Sequence, residues 1–402
     1  MKTAAEYQRA LSRNITKYAW YKIFTKRLYL PLIAIQLVNV GKVTLEEIAL
    51  IAIITSIVQL ILQMPAGYFA DRFGNKRSFV LGALIALPSP LFYIFMPDFF
   101  GGLLSSLLFF GGYAFQQGAI EAFIHDTAIA LGRERDYTKI LGRSQSFGLI
   151  GNVILIAIVP ATYAIDPSLP FWLGFVSLGM MVLLTMSMTT PHVDHETHKP
   201  IKNPWRALQT VVTLQTIPVF LLVGFLSGIT NRVGDYSTLL FESLGIAVAL
   251  FGGIQAVSSL VAAGFGFAVH WFDKVGPRTF YFVDTVIVAV LIIAMGYFHT
   301  PLPVVIASII LSAYCRVRLI VVQAKLLATV KHHYKATLLS ALALFGPIGD
   351  IISAMMLSRF ATDHGYSDGY LYYGLATLAI GMVLWLLVMV ALTGVYNNKR
   401  TS

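Results

Sequence analysis

Eight stretches of this chain run for at least 20 residues without one Asp, Glu, Lys, Arg or His. They lie between Glu47 and Asp71, Arg77 and Asp98, Asp98 and Glu121, Arg143 and Asp166, Asp166 and His192, Arg206 and Arg232, Glu242 and His270, and Asp368 and Lys399. A helix needs about 20 apolar residues to cross the hydrocarbon core of a bilayer. Only 12% of the 402 residues are charged, where a soluble domain keeps about a quarter. A soluble enzyme is excluded, and an all-α, polytopic membrane protein is predicted.

Four more apolar regions are interrupted by charge: Tyr18 to Val40, Thr279 to Phe298, Leu302 to Lys325 and Thr337 to Phe360. Each can span if its ionisable residues face something other than lipid, so twelve spans are predicted. The polar segment Pro191 to Thr210 divides them into residues 1–190, an N-terminal bundle of six, and residues 211–402, a C-terminal bundle of six. Residues 191–210 read as a cytoplasmic linker.

Net charge +10 could attract nucleic acid, but its distribution has a plainer cause. With both termini on one side, that side receives 21 of the basic residues, and the other only Lys42, Arg232 and Arg359. The positive-inside rule then puts both termini in the cytoplasm, and no soluble face remains for nucleic acid. The one cysteine, Cys315, excludes an intramolecular disulfide and a Cys-based metal cluster. Tyr18 to Arg27 is too charged for a cleavable signal. His192, His195 and His198 lie in the linker without the context of a closed metal site, and no P-loop is present. No cofactor is expected, and a monomer is expected.

The chain repeats itself. Phe147 to Ile154 reads FGLIGNVI and Phe345 to Ile352 reads FGPIGDII, an offset of 198 residues; GYFADRFGNKR from Gly67 and GFAVHWFDKVGPR from Gly266 give 199. Two agreeing offsets indicate duplication of a six-helix unit, which places a solute site near the midplane between the halves.

Gly67, Asp71, Arg72, Gly74 and Lys76 fit the loop pattern G-x-x-x-D-R-x-G-x-K between the second and third spans. With twelve spans, a duplication and a short central linker, the chain resembles the major facilitator superfamily over essentially its whole length. Asn75 departs from the basic residue often found there, and His270 and Trp271 replace Asp-Arg in the degenerate copy. The fourth span lacks the Arg, and Pro160 lacks the preceding Gly, that proton-coupled drug exporters of this superfamily often carry. The resemblance implies two pseudo-symmetric six-helix bundles, with spans 1, 4, 7 and 10 lining a cavity. The loop reads as a cytoplasmic gate: Gly67 and Gly74 for close approach and a tight turn, Asp71 as a cap acceptor, and Arg72, Lys76 and Arg77 at the interface. Asp126 and Arg143 are expected to pair beside it. The alternative is a merely solvated loop.

Burying charge at mid-bilayer costs at least ~2.5 kcal/mol, so intramembrane charges are the informative residues. In the first span Tyr18, Lys22, Lys26, Tyr29 and Gln36 recur on one helical face, and in the fourth Tyr113, Gln117, Glu121 and His125 recur every four residues. Arg316 and Arg318 in the tenth span map by the repeat to Gly118 and Ile120, near Glu121. A pairing of Glu121 with one of the two arginines across the cavity is expected, the register favouring Arg316. Glu121 is then the candidate coupling proton site with His125 as relay, or else a static salt bridge. Asp350 is a second proton-site candidate, or a packing residue beside Gly346 and Gly349. Asp284 is expected to support the cytoplasmic end of the ninth span. Lys22 and Arg27 either line the cavity or snorkel to the surface. Gln59 with Gln63, and Gln255 with Ser259, either bond a solute or join helices. Asn231, Arg232 and Asp235 form an outer gate or a helix cap.

The resulting expectation is a secondary active transporter that moves a small organic solute by alternating access, energised by protons. Basic residues outnumber acidic ones inside the spans, which favours an anionic or zwitterionic solute. Drug/proton antiport is one alternative. A non-transporting receptor or lipid scramblase of the same fold is another.

Overall fold

The structure is a computed structural model that describes residues 4–193, 212–213, 216–267, 275–327 and 335–398. Among the described residues there is no strand, and eleven helices are long and apolar enough to cross a membrane.

The elements follow local chemistry. α1 is Ala4–Phe24 and α2 is Leu45–Phe73. α2 begins on a reciprocal cap: the Thr44 amide donates to Glu47 Oε2 at 2.8 Å and the Glu47 amide to Thr44 Oγ1 at 3.2 Å. α3, Asn75–Ala86, follows the turn at Gly74, whose φ of +92° suits glycine alone. α4 is Ser89–Phe95. α5, Phe99–Gln116, is capped by Asp98, which accepts from the Gly101 amide at 2.9 Å. α6 is Ala119–Ala130, α7 Tyr137–Ile158 and α8 Leu169–Ser187. In the second half lie α9, Ile217–Ser243; α10, Phe251–Phe267; α11, Pro277–Tyr297; α12, Pro301–Leu327; α13, Lys335–His364; and α14, Tyr366–Asn398.

The chain forms two compact units. The first comprises Met1–Val43, Ile57–His198 and Val248–Gly253; the second comprises Thr44–Ser56, Lys199–Ala247 and Ile254–Ser402.

Within the first unit, α1 crosses α7 so closely that a Cβ on Gly148 would sit 2.5 Å from the Lys22 side chain. Tyr18, Tyr21, Phe79, Phe123, Ile124, Leu178 and Met181 fill its core. Within the second, α9 and α13 touch backbone to backbone: a Cβ on Gly228 would lie 2.0 Å from the Gly349 carbonyl carbon. The duplicated segments thus occupy matching places, FGLIGNVI packed on α1 and FGPIGDII on α9. Gly346 takes no part, because a Cβ there meets nothing within 4 Å.

The first span differs from the expected continuous helix. α1 stops at Phe24, and the chain resumes as a tight 3-10 turn at Leu30–Leu32, a short helix at Ile33–Ile35 and a wide turn over Gln36–Val40 closed by the Gly41 amide on the Gln36 carbonyl at 3.1 Å. Pro31 lacks an amide hydrogen and would crowd the Arg27 carbonyl, so no α-helical ladder runs through Arg27 to Pro31, and α1 has already stopped at Phe24. The first span is the one missing from the eleven among the described residues, Leu30–Val40 being apolar but short.

The fourth span is also broken. Gln117 is extended, with φ −62° and ψ 128°, and Gly118 has φ +80°, so α5 ends and α6 restarts two residues before Glu121. Neither predicted polar stripe is therefore one continuous helical face.

Candidate functional site

The two breaks lie on neighbouring elements of the first unit, and an ion pair joins them. Lys22 Nζ, near the end of α1, is 3.0 Å from Glu121 Oε1, in the first turn of α6. The other carboxylate oxygen accepts from the Gly118 amide at 3.2 Å and so caps α6. Lys22 also lies 4.9 Å from the centre of the Tyr18 ring. Tyr137 donates to the Glu121 carbonyl oxygen at 3.2 Å, and the Tyr21 hydroxyl to Gln116 Oε1 at 2.8 Å. The pair is not sealed: its side chains are 20% and 39% exposed, and Tyr113, Gln117 and Gly118 beside it are exposed too. Backbone that leaves the helix inside a span is tolerated only where protein or a water-filled cavity satisfies it. Interrupted helices of this kind build solute and ion sites in transporters.

Other predicted residues have different surroundings. Tyr29 is buried against Tyr93, Phe171 and Gly174. Gln36 is buried, donating to the Tyr93 carbonyl at 2.9 Å and accepting from Tyr163 at 3.3 Å. Both are packing residues of the first unit. Arg27 does not snorkel: its guanidinium stacks 3.9 Å from the Phe109 ring centre and 4.6 Å from that of Phe110, with Nε and Nη2 buried. Lys26 is exposed. His125 meets the Tyr137 ring edge to face at 4.7 Å.

Glu121 pairs with Lys22 inside its own unit, and Arg318, one of the two arginines expected opposite it, is likewise paired inside its own. Arg318 belongs to an ion pair inside the second unit, its Nε 2.7 and 2.8 Å from the two Asp284 oxygens, with Tyr314 donating to Asp284 Oδ1 at 2.9 Å. Arg318 and Asp284 side chains are 2% and 0% exposed. Asp284 is thus a counter-ion rather than a support at a helix end. Arg316 is exposed and has no hydrogen-bond or ion-pair partner among the described residues.

A second ionic cluster sits midway along α9 and α13. Arg232 lies 3.0 Å from Asp235 and 3.8 Å from Asp350, and Asn231 donates to Asp350 at 3.1 Å. It is not a helix cap, because α9 continues to Ser243. Ser259 is turned back onto its own helix, donating to the Gln255 carbonyl at 3.0 Å.

In the loop after α2, Lys76 donates to the Met188 carbonyl at 2.5 Å and Arg72 to the Tyr68 hydroxyl at 2.9 Å. Asp71 is exposed and caps nothing among the described residues. A Cβ at Gly67 meets nothing within 4 Å, so no close approach requires that glycine. Asp71, Gly74, Lys76, Arg77 and Asp126 line one cavity of about 940 Å³, and Arg143 lines another. His192 bonds Tyr7 at 2.8 Å; His195, His198, His270 and Trp271 lie outside the described residues.

The Major Facilitator Superfamily model matches residues 22–354. The chain belongs to the major facilitator superfamily. It is 22% identical over 312 residues to the sucrose permease of Escherichia coli, covering 73% of each chain. It is 21% identical over 386 residues to the lactose permease of Klebsiella oxytoca, covering 88% of this chain and 89% of that one. A crystal structure of the nucleoside transporter NupG superposes with a TM-score of 0.78 at 14% identity, over 95% of this chain and 99% of that one. This major facilitator protein therefore has the relatives and fold of secondary transporters, not of enzymes, and its setting is a membrane.

Proposed function

We propose that the chain is a proton-coupled carrier of a small, polar, hydroxyl-rich solute of the sugar or nucleoside class, with Glu121 as the coupling carboxylate. The observation that carries this reading is the half-exposed Lys22–Glu121 pair at two helix breaks. A paired lysine and carboxylate with the exposed residues Tyr113 and Gln117 offers both donors and acceptors, which suits hydroxyl groups. The excess of intramembrane cations that favoured an anionic solute is largely spent: Lys22 and Arg318 are paired, and Arg27 is stacked on rings. The permeases of sucrose, raffinose and lactose among its relatives fit the same class. In this reading the broken pair of segments Ala4–Phe24 and Leu30–Val40 makes the twelfth crossing, residues 1–190 and 211–402 act as the two moving bundles, and both termini are cytoplasmic.

The test is uptake into proteoliposomes of labelled disaccharides and nucleosides under an imposed pH gradient. Uptake that collapses with a protonophore, and is lost in Glu121→Gln, supports the proposal; uptake indifferent to the gradient overturns the coupling.

A second reading keeps an anionic solute, and one observation favours it: Arg316, inside a span, is exposed and has no hydrogen-bond or ion-pair partner among the described residues. Competition by carboxylates or phosphate esters that Arg316→Gln abolishes would select it.

A further inference from the structure

Beside the crossing of α1 and α7 at Gly148, residues of both helices line a cavity of about 410 Å³ in the first unit. Three cations line it, Arg133, Lys139 and Arg143, and no carboxylate does. Arg133 is held by Asp136 at 3.3 Å. Neither Lys139 nor Arg143 has a hydrogen-bond or ion-pair partner among the described residues. The wall away from the charges is apolar and aromatic: Trp20 and Phe147 meet edge to face at 5.3 Å, and both are about two-fifths exposed. Ser144, buried between, adds a hydroxyl.

Position completes the chemistry. The cations lie in the turn before α7 and its first two turns, within about 9 Å of the helix start at 1.5 Å per residue. That is the depth at which a spanning helix leaves the hydrocarbon for the headgroup layer. Cations at headgroup depth above an aromatic, apolar wall match an acidic phospholipid, phosphate toward Lys139 and Arg143 and acyl chain along Trp20 and Phe147. Basic pockets between spanning helices bind such headgroups. The feature is not generic to the duplicated fold, since the 198-residue offset maps Lys139, Arg143 and Ser144 onto the uncharged Thr337, Ala341 and Leu342.

We infer that the α1–α7 groove is a binding site for an acidic phospholipid, seated by Lys139 and Arg143 and packed against Trp20. The full-length protein is reconstituted in nanodiscs of mixed phosphatidylglycerol and phosphatidylcholine, and retained lipid is measured by native mass spectrometry. Wild type is expected to retain phosphatidylglycerol over phosphatidylcholine. Lys139→Gln with Arg143→Gln is expected to bind it roughly thirtyfold more weakly, the worth of two basic residues at a lipid surface. Lys139→Arg with Arg143→Lys keeps the charge and the retention. The equal charge loss of Arg9→Gln with Arg13→Gln, at exposed positions of α1, leaves retention intact. Phosphatidylglycerol brominated in its acyl chains quenches a fluorescence component that Trp20→Phe removes. Equal retention of the two lipids, equal loss in both glutamine pairs, or displacement of the lipid by inorganic phosphate would each overturn the proposal.

Discussion

In the first unit the Lys22–Glu121 ion pair sits where helices are interrupted, whereas in the second the Arg318–Asp284 and Arg232–Asp350 pairs sit on helices that run unbroken. Gly118, which opens the break in the fourth span, maps by the repeat onto Arg316, in the middle of continuous α12. Lys22 and Glu121 share a half-exposed contact; Arg318 and Asp284 are sealed from solvent and braced by Tyr314. On the duplication read from the sequence, one copy carries accessible polar groups beside interrupted backbone and the other a sealed ion pair on continuous helices. A burial argument predicts opposite responses to mutation in the two.

The largest effect belongs to the second unit. Asp284→Ala strands the Arg318 guanidinium in a dry interior, which costs about 3–5 kcal/mol; thermal unfolding in detergent is expected to show a large drop or loss of folded protein. Replacing both residues with leucine should recover much of it, since a buried pair is often no better than apolar packing. Next is Gly228→Ala: its Cβ collides with the Gly349 backbone, and overpacking costs about 1–3 kcal/mol. In the first unit Gly118→Ala meets no atom within 4 Å and carries only the penalty of a φ +80°, ψ −45° backbone that L residues rarely adopt, roughly 1–3 kcal/mol; the transport assay should show a larger defect than the melting curve. Smallest in stability is Glu121→Gln, a partly exposed pair worth about 1 kcal/mol or less, yet gradient-driven transport should be lost. If Glu121→Gln unfolds the protein as severely as Asp284→Ala, the contrast between the units fails.

Much of this architecture was legible in the sequence, because long uncharged runs have one physical use and the loop from Gly67 to Arg77 marks a turn between two of them. The site was legible only in its parts. Glu121 and Lys22 stood out by their cost, but the spacing rule that set them on stripes assumes an unbroken helix, and Pro31 and Gly118 carried the signals that it is not. The Arg318–Asp284 pair was missed because symmetry directed attention across the halves. Hairpin geometry finds it: Asp284 and Tyr314 are equidistant from the turn at His299, and Arg318 lies one helical turn further on. Local ladder arithmetic within one antiparallel pair thus outperformed the global repeat.

Glu121 has no idle oxygen. Oε1 holds the ammonium of Lys22, and Oε2 holds the amide that starts α6. A hydrogen ion arriving on either atom must compete with a donor already in residence, so charge neutralisation there simultaneously loosens a tie to another helix and a tie to its own. The carboxyl couples chemistry to main-chain geometry without any relay between them.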